Sequence, residues 1–494
     1  MNLQSLCRHR LESYAILSLL MLATACSTDD ESAVNDADSS GNINDGENLA
    51  DIPVTPECDS TSAEDFLVLF GYRGAINKQE LDIRMILPEQ TTDEVKLTDF
   101  SLKEEGKTCQ KGCEVDAALR WIAVADAQNP DGSRDFQIGK FNDCLEVALV
   151  KGGELEGISH LQFQGDYAYY SQQIAGCTGA SCQYSITRMN LNAPSEKTLL
   201  INAFPPADDP DWVNGDSTFK GYFHVSPDGE SLVILSPTIR SQRVYIWKKG
   251  AIAEVDYLCD NFQNDTCIGT GSQYSDRDPV AISPDSSEVV VFAVNKRALR
   301  AIRYSTENFS DRGSTALLAV DPSFGGDYAN FACVARESWQ YTQIVGAPVY
   351  TPDGAHILFI GRAPCFGASG TEPLTNVIKI DPSWIGDLTP LEENELIVVT
   401  DNKETDIQDE SAIDIAAMAL SPDGKRVLFT ATPRLNSQFA PRSAPPVTPD
   451  KEMYIVDACG GAPVQLTADL SYSAESPQVV PKPTLGESCA AQPF

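Results

Sequence analysis

The sequence predicts an all-β fold, a β-propeller of four-stranded blades, about seven in number within a range of six to eight, following an N-terminal tether. Three observations predict it. A strand, tight turn, strand unit recurs four times with the same flanks; successive turns lie 57, 68 and 70 residues apart, counted from Asp228 to Asp285, Asp353 and Asp423; and no second linker divides residues 58–494, although that length would otherwise suggest two or three domains.

The four clear units run Phe223 to Leu235, Val280 to Phe292, Val349 to Ile360 and Ala419 to Phe429. Their turns read Ser-Pro-Asp-Gly, Ser-Pro-Asp-Ser, Thr-Pro-Asp-Gly and Ser-Pro-Asp-Gly. Proline sets φ for the turn, Asp228, Asp285, Asp353 and Asp423 can bond the backbone two residues on, and Gly229, Gly354 and Gly424 accept a positive φ. Each second strand is a short run of Val, Ile, Leu and Phe, as expected of a strand covered on both faces. The spacing exceeds a compact blade of about 40 to 45 residues, so loops such as 207–217 and 436–449 take up the excess.

Weaker echoes extend the array. Leu161 to Tyr170 keeps the order around Gly165-Asp166 without the proline, and Glu114-Val115-Asp116 before Trp121 to Val124 and the apolar run Phe66 to Phe70 are read as two further starts. The segment from Val464 to Val480 is read as the last.

Ser421 to Thr430 and the segment from Gln465 to Pro477 resemble the repeats of TolB-type, WD-repeat-like propellers of the bacterial periplasm. The resemblance covers about 219–480. It implies the fold and a binding role. The small N-terminal α/β domain of that family has no counterpart in 27–65, and a lipobox, which residues 23–26 resemble, is foreign to the family, so its partners are not carried over.

Arg8 and Arg10, the apolar run Tyr14 to Leu22 and small residues before Cys26 have the layout of a signal peptide over 1–25, too short to span a bilayer. Ala23-Thr24-Ala25-Cys26 resembles a lipobox, which implies acylation of Cys26; ordinary secretion with a bare Cys26 is the competing reading. Residues 27–57 hold nine Asp or Glu and no Lys or Arg, so 26–57 is read as a disordered acidic linker to the domain at 58–494. Ser27, rather than Asp, after the cysteine favours the outer membrane by the sorting rules of enteric lipoproteins.

The chain carries 71 acidic and 36 basic side chains, net −35. Nucleic acid and anionic lipid headgroups are therefore poor partners, since both are held by Lys and Arg clusters. Twelve cysteines remain after Cys7 and Cys26, which in an exported chain reads as a disulfide set. Cys177 with Cys182 and Cys259 with Cys267 are the expected local bridges. Zinc at Cys109 and Cys113 is the competing reading, disfavoured because no Cys/His cluster surrounds them.

Other candidate chemistry is sparse. No Gly-x-Ser-x-Gly elbow is present, Gly367-Ala368-Ser369-Gly370 being the nearest string. Three histidines remain beyond the signal, His160, His224 and His356. The repeat aspartates are read as turn formers rather than a catalytic ring. No cofactor is predicted; Ca²⁺ in the loop Asp208 to Asp216 is the alternative to a solvated acidic loop. Trp212, Trp247, Trp339 and Trp384 are read as blade core. The expected function is a lipid-anchored envelope scaffold binding a protein or glycan partner, with no catalytic residue assigned. The alternatives are a propeller enzyme of lyase or glycosidase type, which a central pocket holding one of those histidines would favour, and a surface-displayed adhesive protein.

Overall fold

The computed structural model describes residues 66–74, 81–86, 95–96, 113–175, 182–206, 219–237, 242–257, 280–295, 298–318, 343–363, 374–385, 397–400, 413–433, 451–467 and 472–482. Among them the regular elements are strands, apart from one short 3-10 turn at Pro382–Trp384. No helix among the described residues is long and apolar enough to cross a membrane.

The described strands form seven blades. Blade I joins β27 (Tyr472–Pro481), β1 (Phe66–Gly74), β2 (Leu81–Ile86) and β3 (Val95–Lys96), so a late strand pairs with an early one and closes the ring. A seven-stranded sheet resolves into two blades that share one strand. Blade II is β4 (Cys113–Val115), β5 (Trp121–Gln128), β6 (Arg134–Phe141) and the first part of β7 (Val147–Gln164). Blade III is the second part of β7 with β8 (Tyr167–Gln173), β9 (Tyr184–Asn190) and β10 (Lys197–Phe204). Ile158 is the handover, opposite Arg134 in β6 and Gln172 in β8.

The remaining blades follow the chain. Blade IV is β11 (Phe223–Val225), β12 (Ser231–Pro237), β13 (Gln242–Lys248) and β14 (Ala251–Tyr257). Blade V is β15 (Val280–Ile282), β16 (Glu288–Asn295), β17 (Ala298–Ser305) and β18 (Asp311–Leu318). Blade VI is β19 (Gln343–Tyr350), β20 (Ile357–Ala363), β21 (Leu374–Ile380) and β22 (Ile397–Val398). Blade VII is β23 (Ile413–Leu420), β24 (Arg426–Pro433), β25 (Glu452–Asp457) and β26 (Val464–Gln465). All pairs are antiparallel.

The segment Val464 to Val480 does not form a blade by itself. Its first part is the outer strand of blade VII and its second is the inner strand of blade I, because ring closure requires the two chain regions to share a sheet. Phe66 to Phe70 accordingly belongs to the second strand of its blade. The loops 207–217 and 436–449 lie outside the described residues.

The core sits between blades. Leu69 and Val480 of blade I pack on Ile122 and Phe141 of blade II; Ile138 and Leu155 meet Tyr170 and Met189 across II and III; and Tyr169 and Phe204 meet Phe223 and Trp247 across III and IV. Similar clusters join IV to V, VI to VII and VII to I. Second strands such as Leu232–Ile234, Val289–Val291 and Val427–Phe429 are fully buried, which is why they are apolar on consecutive positions rather than alternating. Trp247 is core; Trp212 and Trp339 lie outside the described residues.

Candidate functional site

The first-to-second-strand turns of blades IV to VII share one construction. In each, the leading hydroxyl donates to the turn carboxylate: Ser226 to Asp228 at 2.5 Å, Ser283 to Asp285 at 2.6 Å, Thr351 to Asp353 at 2.6 Å and Ser421 to Asp423 at 2.5 Å. The same carboxylate oxygen accepts from the amide two residues on, at 2.9 to 3.0 Å. These bonds hold the Asp285 and Asp353 carboxyls below the usual carboxylate range, the hydroxyl contributing most. The repeat carboxylates are therefore occupied by their own turns. His356 lies in one of them, its amide donating to Thr351 Oγ1 at 2.9 Å.

Neighbouring turns interlock. Arg120 Nη2 of blade II donates to Gly165 O of blade III at 2.8 Å, Gln164 Nε2 of blade III to Pro227 O of blade IV at 2.6 Å, and the Tyr169 hydroxyl to Gly229 O at 2.9 Å. Ser286 of blade V stands where the other turns have glycine, at φ 60°, and its hydroxyl accepts from the Asp228 amide at 3.0 Å. Gly424 faces Pro352 so closely that a Cβ would come within 2.8 Å of the ring.

A part-buried ion pair within blade V is hydrogen-bonded to blade VI on both of its sides. Glu288 accepts from Arg303 Nη2 at 2.6 Å and from the Tyr350 hydroxyl at 2.7 Å, while Arg303 Nη1 reaches Pro382 O at 3.1 Å. Burial raises the Tyr350 hydroxyl, reinforced by the Glu288 charge. These bonds from Tyr350 and to Pro382 O tie the pair, and with it blade V, to blade VI.

First strands of successive blades run beside one another around the axis, β4 by β7, β7 by β11, β15 by β19, β19 by β23 and β23 by β27. On them the sequence places Glu114, His160 and His224. Glu114 is on β4, two residues before its turn, and retains partial exposure; burial pushes its carboxyl up to about 7, with the Arg134 charge pulling the other way. His160 Nε2 lies 3.0 Å from Phe223 O, and its ring meets Tyr222 at 5.1 Å and Phe223 edge-on at 4.9 Å. Tyr222 is 48% exposed. Ser171, the register partner of His160, is fully buried, so its hydroxyl is closed to a substrate.

His160 and His224 thus come to adjacent inner strands, whereas His356 does not. Cys113, Cys144, Cys182 and Cys459 are disulfide-bonded, which removes Cys113 as a thiolate for zinc. Cys26, Cys109, Cys177, Cys259, Cys267, the loop Asp208 to Asp216 and Gly367 to Gly370 lie outside the described residues. Among the described residues no three His, Cys, Asp or Glu side chains gather as a metal site would require. Glu114, Tyr222 and the Ser286 bond were not singled out from sequence; the detectable signals were the Tyr-Phe-His run before one turn and a serine in place of glycine in another.

No family model matches the chain, and no curated protein matches it in sequence. Solved structures similar to it include TolB from Acinetobacter baumannii, at 11% identity over 84% of this chain and 67% of that one, with a TM-score of 0.38. A Bacteroides fragilis protein provisionally described as a 6-phosphogluconolactonase is similar at 10% identity over 85% and 99%, TM-score 0.43. A prolyl endopeptidase is similar at 11% identity over 85% of this chain and 50% of its own length, TM-score 0.48. The likeness concerns architecture alone, and the class of the chain, a seven-bladed β-propeller among the described residues, stands on the sheet order itself.

Proposed function

We propose that the protein is a cell-envelope lipoprotein, acylated on Cys26 and held at the outer membrane, whose propeller is a non-catalytic scaffold for a protein or glycan partner. One observation carries the reading: the turn ring commits the repeat carboxylates to local bonds and links blade to blade, which makes a stiff support rather than a reactive face. Stiff supports lower the ordering cost of binding. The acidic charge directs the scaffold away from polyphosphate partners. Affinity capture from envelope extracts with the intact protein, proteins and glycans both being identified, tests it. A reproducible partner supports the scaffold; an empty capture after crosslinking sinks it.

An enzyme is the second reading, favoured by Glu114, whose raised carboxyl suits proton transfer near neutrality, on an inner strand of the same ring as His160 and His224. Turnover of an envelope polymer by the purified protein, lost in Glu114→Gln, would establish it in place of the scaffold.

A further inference from the structure

Tyr222 differs from the other exposed large apolar residues of the described chain. Leu199, Ile252, Ile397 and Val464 sit on the outermost strands of their blades, whereas Tyr222 immediately precedes an inner strand. The preceding residue, Gly221, has φ 86° and lies so close to blade III that a Cβ there would collide with Ser171 Oγ. The ring is held from the side by His160, itself fixed at Phe223 O and edge-on to the Phe223 ring. The arrangement is a half-exposed aromatic ring packed against His160, which contributes contact area at small entropic cost.

We propose that Tyr222, backed by His160, is the stacking platform of a subsite for a neutral saccharide ring. The inference rests on the scaffold reading and specifies the glycan as its ligand. A protein interface needs a contiguous apolar centre of several anchors, and here one ring stands alone among the described residues. A pyranose presents a single face of polarised C–H groups, which suits the negative face of one aromatic ring. Anionic polymers are disfavoured by the net charge of −35.

The test is calorimetric titration of the intact protein with chitohexaose, maltohexaose, cellohexaose and xylohexaose, alongside Tyr222→Ala and Tyr222→Phe. Binding of at least one, weakened about tenfold in Tyr222→Ala and retained in Tyr222→Phe, supports the subsite. Tetranitromethane labelling, read by mass spectrometry, adds a measurement that needs no variant: the bound saccharide shields Tyr222 from nitration. Binding of none of the four, unchanged affinity in Tyr222→Ala, or unshielded Tyr222 overturns the proposal. Failure of the two readings is separable. A protein captured from envelope extracts when no saccharide binds leaves the scaffold standing without the subsite, whereas cleavage of a bound saccharide removes the non-catalytic scaffold and leaves the subsite.

Discussion

The backbone amide of Asp228 donates to the hydroxyl of Ser286, one blade further on, at 3.0 Å. Ser286 sits at φ 60°, the left-handed conformation this turn position takes in blades IV, VI and VII too, where it is filled by glycine. Two substitutions separate the terms. Ser286→Gly loses the bond but relieves the backbone; Ser286→Ala loses the bond and keeps the strain. The alanine variant is expected to be less stable than wild type by about 1 to 2 kcal/mol, and the glycine variant to lie between the two, by urea unfolding.

A similar contrast tests how tightly the turns pack. Gly424 and Gly132 both have positive φ, at 73° and 88°, but a Cβ meets Pro352 at the first and nothing within 4 Å at the second. Gly132→Ala is expected to lose about 1 kcal/mol for the backbone alone. Gly424→Ala is expected to lose at least twice that, since the proline ring cannot rotate away. Equal melting temperatures for the two variants would refute the interlock.

Glu114 ties stability to pH. Burial pushes its folded carboxyl up to about 7 from an ordinary 4.5, so the folded state holds the proton more tightly than the unfolded chain. Its contribution is fully present below 4.5 and is lost as pH rises through about 7, an effect of at most about 3 kcal/mol before allowance for residual exposure. Glu114→Gln should flatten the fall in unfolding free energy between pH 5 and pH 8. An unchanged slope in that variant would place the titration elsewhere.

Lipidation of Cys26 is checked by metabolic labelling with tritiated palmitate. Wild-type protein is expected to incorporate label and partition into membranes, and Cys26→Ala to do neither. Label retained in that variant would move the anchor to another residue.

Much of the fold was legible because its signals are local. Proline, aspartate and glycine specify a turn within four residues, and the apolar run after Asp228, Asp285, Asp353 or Asp423 reports a doubly covered strand wherever it falls. Ring closure was less legible: pairing of Leu67 with Val480 joins residues at opposite ends of the domain, and no short window contains it. The candidate site was less legible still. His160 and Tyr222 are neighbours only because two inner strands run side by side, and the set of Glu288, Arg303 and Tyr350 draws on two blades.

The strand β7 passes from blade II to blade III without a turn, handing over at Ile158. At the other blade junctions the outer strand of one blade and the inner strand of the next are separate elements. Here the amides of both sheets hang from one continuous backbone. In native-state hydrogen exchange, protected amides such as those of Ile138 and Tyr170 should then share a single opening free energy and respond alike to denaturant, as one seven-stranded unit rather than two blades.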